Sequence, residues 1–268
     1  MSILSTDKAT HLRNRRTLTG AFTEHAIAEH ASFLESLVGL MIQRFKEATD
    51  KAHGSAVLNL VDWLNWLTFD ISGALWCRES FDSIRSGHTH PWVEISCNFG
   101  KGIALMTSIS FSYPLNEALT FAVPKKSHGE DEKFLQRLSM QHKPKAQDHV
   151  GSIMAYNGEK GEVKIPKEEI EANITLLIFA GSETISSAMS AILSELLRRP
   201  AALRKAVEEV RSAFRSIEDI AVAFVAKLEY LTAIIQEGIR MGRAAAIAVA
   251  RVVPKEYATI LGQLVPGG

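Results

Sequence analysis

Apolar residues recur every three or four positions along most of this chain, and this spacing places them on one face of an α-helix. Over residues 19–49 the spacing predicts an amphipathic helix or a pair of helices. Further helices are predicted from 58 to about 77 and from 228 to about 241. Few segments alternate apolar and polar residues as half-buried strands do. The pattern therefore predicts a mainly α protein with little β structure.

The middle of the chain contains one more predicted helix and then a segment without the helical pattern. His90-Pro91 precedes a helix that is predicted to run to about Met106. Residues 123–163 are rich in charges and turn formers, which predicts surface loops around a short helix at 132–140. Because the apolar faces on both sides of this segment need partners, it is predicted to be an excursion within a single domain, residues 1–268.

The longest predicted helix lies between Pro166 and Pro200. Proline suits a first helical turn, and the acidic residues that follow complement the positive end of the helix dipole. About 33 residues at 1.5 Å each give roughly 50 Å, well above the average helix length. We expect this helix to cross the body of the domain.

Small and polar residues interrupt the middle of this helix, at Ala180-Gly181-Ser182-Glu183-Thr184 and in the serine and alanine positions after it. Glycine in a helix interior costs about 1 kcal/mol relative to alanine. Thr184 lies on the stripe formed by Leu177, Ala180, Ala188 and Ala191, so its hydroxyl is expected to point into the protein. Two interpretations stay open: the small face admits a neighbouring helix, or it marks a functional site.

A second candidate feature is the pair Glu237 and Arg240, three residues apart on the last predicted helix. Most pairs at this spacing are surface ion pairs. The context of this one differs, because an apolar extended stretch follows it and ends in Arg251-Val252-Val253-Pro254.

Composition narrows the classes of function. Lys+Arg and Asp+Glu number 30 each, so the chain has no basic excess for nucleic acid. The apolar content of 46% is that of a globular protein, and two cysteines do not make a disulfide framework. The longest uncharged apolar runs, 174–181 and 244–250, fall short of the roughly 20 residues that span a bilayer. We therefore expect a soluble polypeptide with no membrane segment, and no metal site is predicted from its own side chains.

The order and spacing of the motifs resemble those of the cytochrome P-450 family of haem-thiolate monooxygenases, particularly fungal members that act in secondary metabolism. The resemblance covers nearly all of the chain. It rests on Ala-Gly-Ser-Glu-Thr inside a long helix, then Glu-Gly-Ile-Arg, then Arg-Val-Val-Pro. Near the start, His-Leu-Arg-Asn-Arg-Arg at 11–16 looks like the helix at the haem edge.

The resemblance implies a role for each matching residue. Glu183 and Thr184 match the acid and the alcohol that deliver protons during dioxygen cleavage. Residues that match the dioxygen and substrate pocket are Ala180, Gly181, Ala246 and Ala248. Residues that match the groups on the haem propionates are His11, Arg15 and Arg251. Glu237 and Arg240 match a buried pair with a structural role.

The resemblance also implies a haem cofactor, a small lipophilic substrate and an NADPH-dependent reductase. For intact relatives the resemblance implies a location on the endoplasmic-reticulum membrane. In the family a cysteine thiolate holds the iron in a loop well beyond the Glu-x-x-Arg helix, and neither Cys77 nor Cys97 matches it. We therefore expect an incomplete domain, a partial P-450 fold that lacks both ends. Two functions stay open: a monooxygenase, or a non-catalytic helical remnant or interaction module.

Overall fold

The computed structural model describes residues 3, 6–19, 22–23, 28, 30–77, 80–94, 97–98, 166–242, 253 and 255–267. The helices in these ranges are α1 (Lys8–Thr19), α2 (Ala31–Lys51), α3 (Leu60–Cys77), α4 (Ser83–Ser86), α5 (Lys167–Leu197), α6 (Pro200–Ala213), α7 (Val222–Val225) and α8 (Glu229–Met241). A 3₁₀ turn lies at Ile217–Asp219, and the strands are β1 (Tyr257–Ile260) and β2 (Gln263–Pro266). Residues 91–94 and 97–98 are helical as well. The predicted excursion at 123–163 lies outside the described residues.

Helix α5 confirms the long helix that the sequence predicts. It contains 31 residues, about 46 Å at 1.5 Å per residue. Pro166 occupies the N-cap position, and Glu168 and Glu169 lie in the first turn, where they complement the helix dipole. At the other end, the backbone N–H of Arg198 donates to the carbonyl of Ser194. The helix ends there because Pro200 begins α6.

The packing of α5 against α3 forms the centre of the fold. Ile170, Ile174 and Ile178 follow one another at intervals of four residues and are buried on the α3 side of α5. They belong to a core cluster with Leu18, Phe69, Trp76, Phe81, Trp92 and Val93. A smaller cluster joins α2, α3 and α4 through Leu37, Met41, Leu67 and Ile84.

Polar side chains continue this buried face where the isoleucines end. The Ser182 hydroxyl lies 2.6 Å from the Ile178 carbonyl and 3.2 Å from the Thr68 carbonyl on α3. The Ser186 hydroxyl donates to Oδ1 of Asn65 on α3 at 2.5 Å. Because buried polar groups need partners, these bonds specify the register in which α3 and α5 meet.

The length and composition of α5 also bear on the membrane expectation. Of the described residues, the stretch Glu168–Leu197 is long and apolar enough to cross a membrane by those two criteria. The sequence argument missed it by considering only uninterrupted apolar runs. Core helices of soluble proteins meet the same criteria. Ser182 and Ser186 bond to α3, so this side of α5 packs within the fold.

Asp70 on α3 holds the start of α4. Its carboxylate accepts hydrogen bonds from the backbone N–H groups of Ser83 at 3.2 Å and of Ile84 at 3.0 Å. Burial raises the pKa of the Asp70 carboxyl above its ordinary value of 3.8, and the two hydrogen bonds oppose that shift.

Helix α8 lies against the carboxyl-terminal half of α5. The carboxylate of Glu209 on α6 accepts from the N–H groups of Tyr230 and Leu231, both at 2.8 Å, and so satisfies the first turn of α8. Gly238 is buried against Ile192 of α5, where a Cβ would overlap the isoleucine side chain. The glycine therefore sets how closely α8 approaches α5.

The described β structure is one antiparallel hairpin of β1 and β2, in which Tyr257 pairs with Pro266 and Ile260 with Gln263. Leu261 and Gly262 form the turn with φ of 50° and 79°. Positive φ at both central residues is typical of a type I′ turn. Together, the helices and this hairpin confirm a mainly α fold with little β structure.

Replacing Gly238 by alanine tests the docking of α8. We expect Gly238→Ala to lower the free energy of unfolding by about 1–3 kcal/mol, the usual cost of overpacking. Gly39→Ala on α2 is the matched control, because nothing lies within 4 Å of its added Cβ. The control should gain up to about 1 kcal/mol from helix propensity. Urea denaturation followed by circular dichroism measures both, and a Gly238→Ala chain as stable as the wild type would contradict the close approach.

Asp70→Ala should destabilise the chain by about 1–3 kcal/mol at neutral pH, because two backbone N–H groups lose their acceptor. Asp70→Asn keeps one acceptor oxygen and should lose less. The raised pKa means that the stability contributed by Asp70 is full below pH 3.8 and decreases as pH rises through the folded-state value. The advantage of the wild type over Asp70→Asn should therefore shrink with rising pH in denaturation series. If the stability of the wild type relative to Asp70→Asn instead increased with pH, the raised pKa of the Asp70 carboxyl would be contradicted.

Candidate functional site

Helix α5 presents two unlike faces in its middle. Since 3.6 residues make one turn, Ala180 and Thr184 lie nearly opposite Ser182. Ser182 is buried against α3, whereas Ala180 and Thr184 are exposed. We call the side of α5 that carries Ala180 and Thr184 the open face.

The expectation that the Thr184 hydroxyl points into the protein is wrong for the described residues. Thr184 is exposed, and its Oγ1 donates to the Ala180 carbonyl of the preceding turn at 2.7 Å. The reason is that α3 packs on the face of Ser182 and Ser186, about half a turn away.

Gly181 lies on the α3 side of the helix. A Cβ built on Gly181 would lie 3.6 Å from Oγ of Ser72 on α3, which is ordinary van der Waals contact. The sequence grouped Gly181 with Ala180 in one pocket, and in this geometry the two residues point to different sides. The packing interpretation is confirmed for Gly181, Ser182 and Ser186, which admit α3. Ala180 and Thr184 form the open face, where the functional interpretation stays a prediction.

Glu183 lies between these two faces and is partly buried. The Sγ of Cys97 donates a hydrogen bond to Oε2 of Glu183 at 3.4 Å. Cys97 itself packs against the main core cluster. From the sequence, Cys97 has no predicted role, because it does not match the family's thiolate ligand. No local pattern could reveal the contact, because the two residues are 86 positions apart.

Helix α1 carries two of the predicted cofactor-binding residues. The carboxylate of Asp7 caps its first turn by accepting from the N–H groups of Ala9 and Thr10. Arg15 is exposed, and Nδ1 of His11 lies 3.0 Å from the Ile3 carbonyl. With Nδ1 donating there, a neutral imidazole has no second N–H to offer, so only the imidazolium can also donate to an anion.

Arg13, which the sequence left without a role, joins α1 to α5. Its Nη2 lies 2.5 Å from Oε2 of Glu169, and both side chains are partly buried. The backbone N–H of Ile3 donates to Oδ1 of Asn173 on α5 at 2.6 Å. These two contacts hold α1, with Arg15 on it, beside the amino-terminal part of α5.

Glu237 and Arg240 form the predicted pair, with Nε and Nη2 of the arginine each 2.6 Å from a carboxylate oxygen. The predicted burial is wrong for the described part of the chain, since the side chains are 55% and 68% exposed. Gly238 occupies the buried side of α8, so the pair lies on its solvent side. The hydrogen bonds from Arg240 lower the pKa of the Glu237 carboxyl.

The remaining predicted residues, Ala246, Ala248 and Arg251, lie outside the described residues. Within the described ranges, no group of three or more histidine, cysteine, aspartate or glutamate side chains is arranged to hold a metal ion. A groove of about 390 Å³ separates α5, α6 and α8 near Ile192 and Ile234. Since Ile192 is about two turns beyond Thr184, this groove is distinct from the Ala180 and Thr184 positions.

The geometry places an acid and an alcohol side by side in the middle of the central helix. Thr184 lies on the open face, and Glu183 lies one helical step away, held by Cys97. A carboxylate and a hydroxyl in this arrangement can move protons to a group placed against the open face.

Comparison with known proteins shows what this chain is similar to. The profile of the cytochrome P-450 family matches residues 2–268. The chain is 31% identical over 271 residues to cytochrome P-450 monooxygenase atr2 of Stereocaulon alpinum, a match that covers 100% of this chain and 53% of that protein. It is 31% identical over 272 residues to cytochrome P-450 monooxygenase astJ of Aspergillus oryzae, covering 99% of this chain and 53% of that protein. It is 30% identical over 274 residues to averantin hydroxylase of Dothistroma septosporum, covering 99% of this chain and 50% of that protein.

The chain thus spans about half the length of the curated relatives it matches. Two of these relatives are named cytochrome P-450 monooxygenases and the third is named a hydroxylase, in agreement with the family that the order of the motifs predicted. Since the family profile matches almost the whole sequence, the chain belongs to the cytochrome P-450 family.

Proposed function

We propose that the protein is a haem-dependent monooxygenase that oxidises a small lipophilic metabolite. The observation that carries the proposal is the open face of α5, where Ala180 and Thr184 are exposed on a helix whose opposite side is tightly packed. Glu183, next to Thr184, supplies the acid. The names of the relatives support the same reaction class.

The described residues fit the distal side and the edge of a haem. Ala180 presents only a methyl group on the open face, and the Thr184 hydroxyl is bonded back to its own helix, so a flat ring could lie against this surface. Arg15 is exposed on α1 and could hold a propionate through a charge-assisted hydrogen bond. His11 could assist only as the imidazolium, because its Nδ1 donates to Ile3. When bound, haem would supply the iron that activates dioxygen.

Cys97 is not the thiolate that would bind the haem iron in this proposal. Cys97 contacts Glu183 and the core cluster, and the sequence has no cysteine after it. The resemblance assigns the ligand to a loop beyond the Glu-x-x-Arg helix. We therefore propose the activity for a protein of the relatives' length, with a redox partner as its electron source.

In this proposal Thr184 and Glu183 handle protons. Thr184 donates to the Ala180 carbonyl, which leaves the lone pairs of its oxygen free to accept on the open face. To pass its proton on, the Thr184 hydroxyl turns away from the Ala180 carbonyl. Glu183, after taking a proton from water, can then replace the proton that Thr184 has lost. Ala180 keeps the surface next to the hydroxyl small.

A second candidate function is a non-catalytic helical module. The resemblance left this alternative open, because neither Cys77 nor Cys97 matches the family's thiolate ligand. Haem binding separates the two candidates.

The spectrum of the purified chain tests the assignment of the ligand. After incubation with haem, reduction and exposure to carbon monoxide, we expect no thiolate-type Soret band, because neither cysteine matches the family's ligand. Absorption spectroscopy of the wild type beside Cys97→Ala makes the measurement. A thiolate-type band that disappears in Cys97→Ala would overturn the assignment.

Thr184→Ala tests the role in proton handling, in a protein extended to the relatives' length. Groups that transfer protons contribute about 10²–10⁴-fold to rates, so we expect the product formed per NADPH consumed to fall at least about tenfold. Thr184→Ser should restore most of it. Ser194→Ala is the control, because Ser194 is exposed on the same helix about three turns away. Unchanged coupling in Thr184→Ala would refute the role.

A further inference from the structure

The contact between Cys97 and Glu183 adds a residue to the proton-handling pair. The distance of 3.4 Å from Sγ to Oε2 suits a thiol that donates to a carboxylate oxygen. A thiol is a weak donor, whereas a carboxylate is a strong acceptor. The bond therefore restrains the carboxylate without holding it as firmly as an arginine or lysine would.

The position of Cys97 is set by the core and not by this bond alone. The helical residues 91–94 that precede it carry Trp92 and Val93, both buried in the main cluster with Ile174 and Ile178 of α5. The ring of Trp92 stacks on Phe81 with 5.2 Å between centroids and 5° between planes. Cys97 packs against the same cluster. The segment that presents the thiol is thus anchored to the helix that presents the carboxylate.

The contact also determines where the Glu183 carboxylate lies relative to Thr184. Consecutive residues differ by about 100° around a helix. The carboxylate of Glu183 is turned to Cys97 beside the core cluster, while the Thr184 hydroxyl lies on the open face. To serve Thr184, the carboxylate has to leave the thiol and later return to it.

We propose that Cys97 is a positioning residue, which holds the carboxylate of Glu183 in a resting position beside the core cluster. From that position the carboxylate moves to the Thr184 side by breaking one weak S–H···O bond. This proposal rests on the proposed function, because the carboxylate needs to move only if Glu183 supplies protons to Thr184. The contact between Cys97 and Glu183 does not itself require haem. A weak donor fits this role, because a stronger one would slow the departure of the carboxylate.

Infrared spectroscopy of the S–H stretch tests the contact in the chain as it stands. The band lost in Cys97→Ala identifies the thiol of Cys97. We expect Glu183→Ala to shift this band to higher frequency, because the thiol loses a charged acceptor. Glu183→Gln should shift it less, since an amide oxygen still accepts. Glu195→Ala is the matched control, because Glu195 lies on the same helix and pairs with Arg199. A Cys97 band that stays in place in both Glu183 variants would overturn the proposal.

Nuclear magnetic resonance tests the positioning. Three-bond couplings of a labelled Glu183 side chain should report one χ1 rotamer in the wild type and an average of rotamers in Cys97→Ala. Cys97→Ser should restore the single rotamer, because a hydroxyl also donates. Couplings that are the same in the wild type and in Cys97→Ala would overturn the proposal. Neither measurement needs haem, so their failure would leave the Thr184 test, and with it the proposed function, unaffected.

Discussion

The close packing of α5 against α3 is the constraint on which the other features depend. Three isoleucines supply the apolar contact, and Ser182 and Ser186 extend it with hydrogen bonds to α3. Burying polar groups is unfavourable unless each finds a partner, so only a narrow range of registers satisfies both parts of this face. Once that register is set, the opposite side of α5 is set as well.

This constraint explains why a run of small residues has two roles at once. Gly181 and Ser182 lie on the α3 side, where Gly181 faces Ser72 and Ser182 is hydrogen-bonded beside the Thr68 carbonyl. Ala180 and Thr184 lie on the other side and remain exposed. Glu183 falls between the two sides and is held by Cys97 from the segment after His90-Pro91. The Glu183 carboxylate therefore lies with the packed region, one helical step from the open face.

The same principle orients α8. Gly238 lets this helix approach Ile192 closely, and Glu209 satisfies its first turn. Glu237 and Arg240 then lie on the solvent side, paired with each other. Within the described residues the pair is a surface feature, even though its spacing and bidentate geometry match the expectation from the sequence.

The sequence by itself determined the helical class, the limits of α5 to within a few residues, and the family to which the chain belongs. It could do so because helical periodicity, proline positions and the Ala-Gly-Ser-Glu-Thr motif are local in the chain. Only the tertiary structure decided which side of α5 each small residue faces, that Glu237 and Arg240 lie in solvent, and that Cys97 meets Glu183. Burial and contact depend on which helix packs on which face. Cys97 and Glu183 are 86 positions apart, so no local sequence pattern indicates that they are in contact.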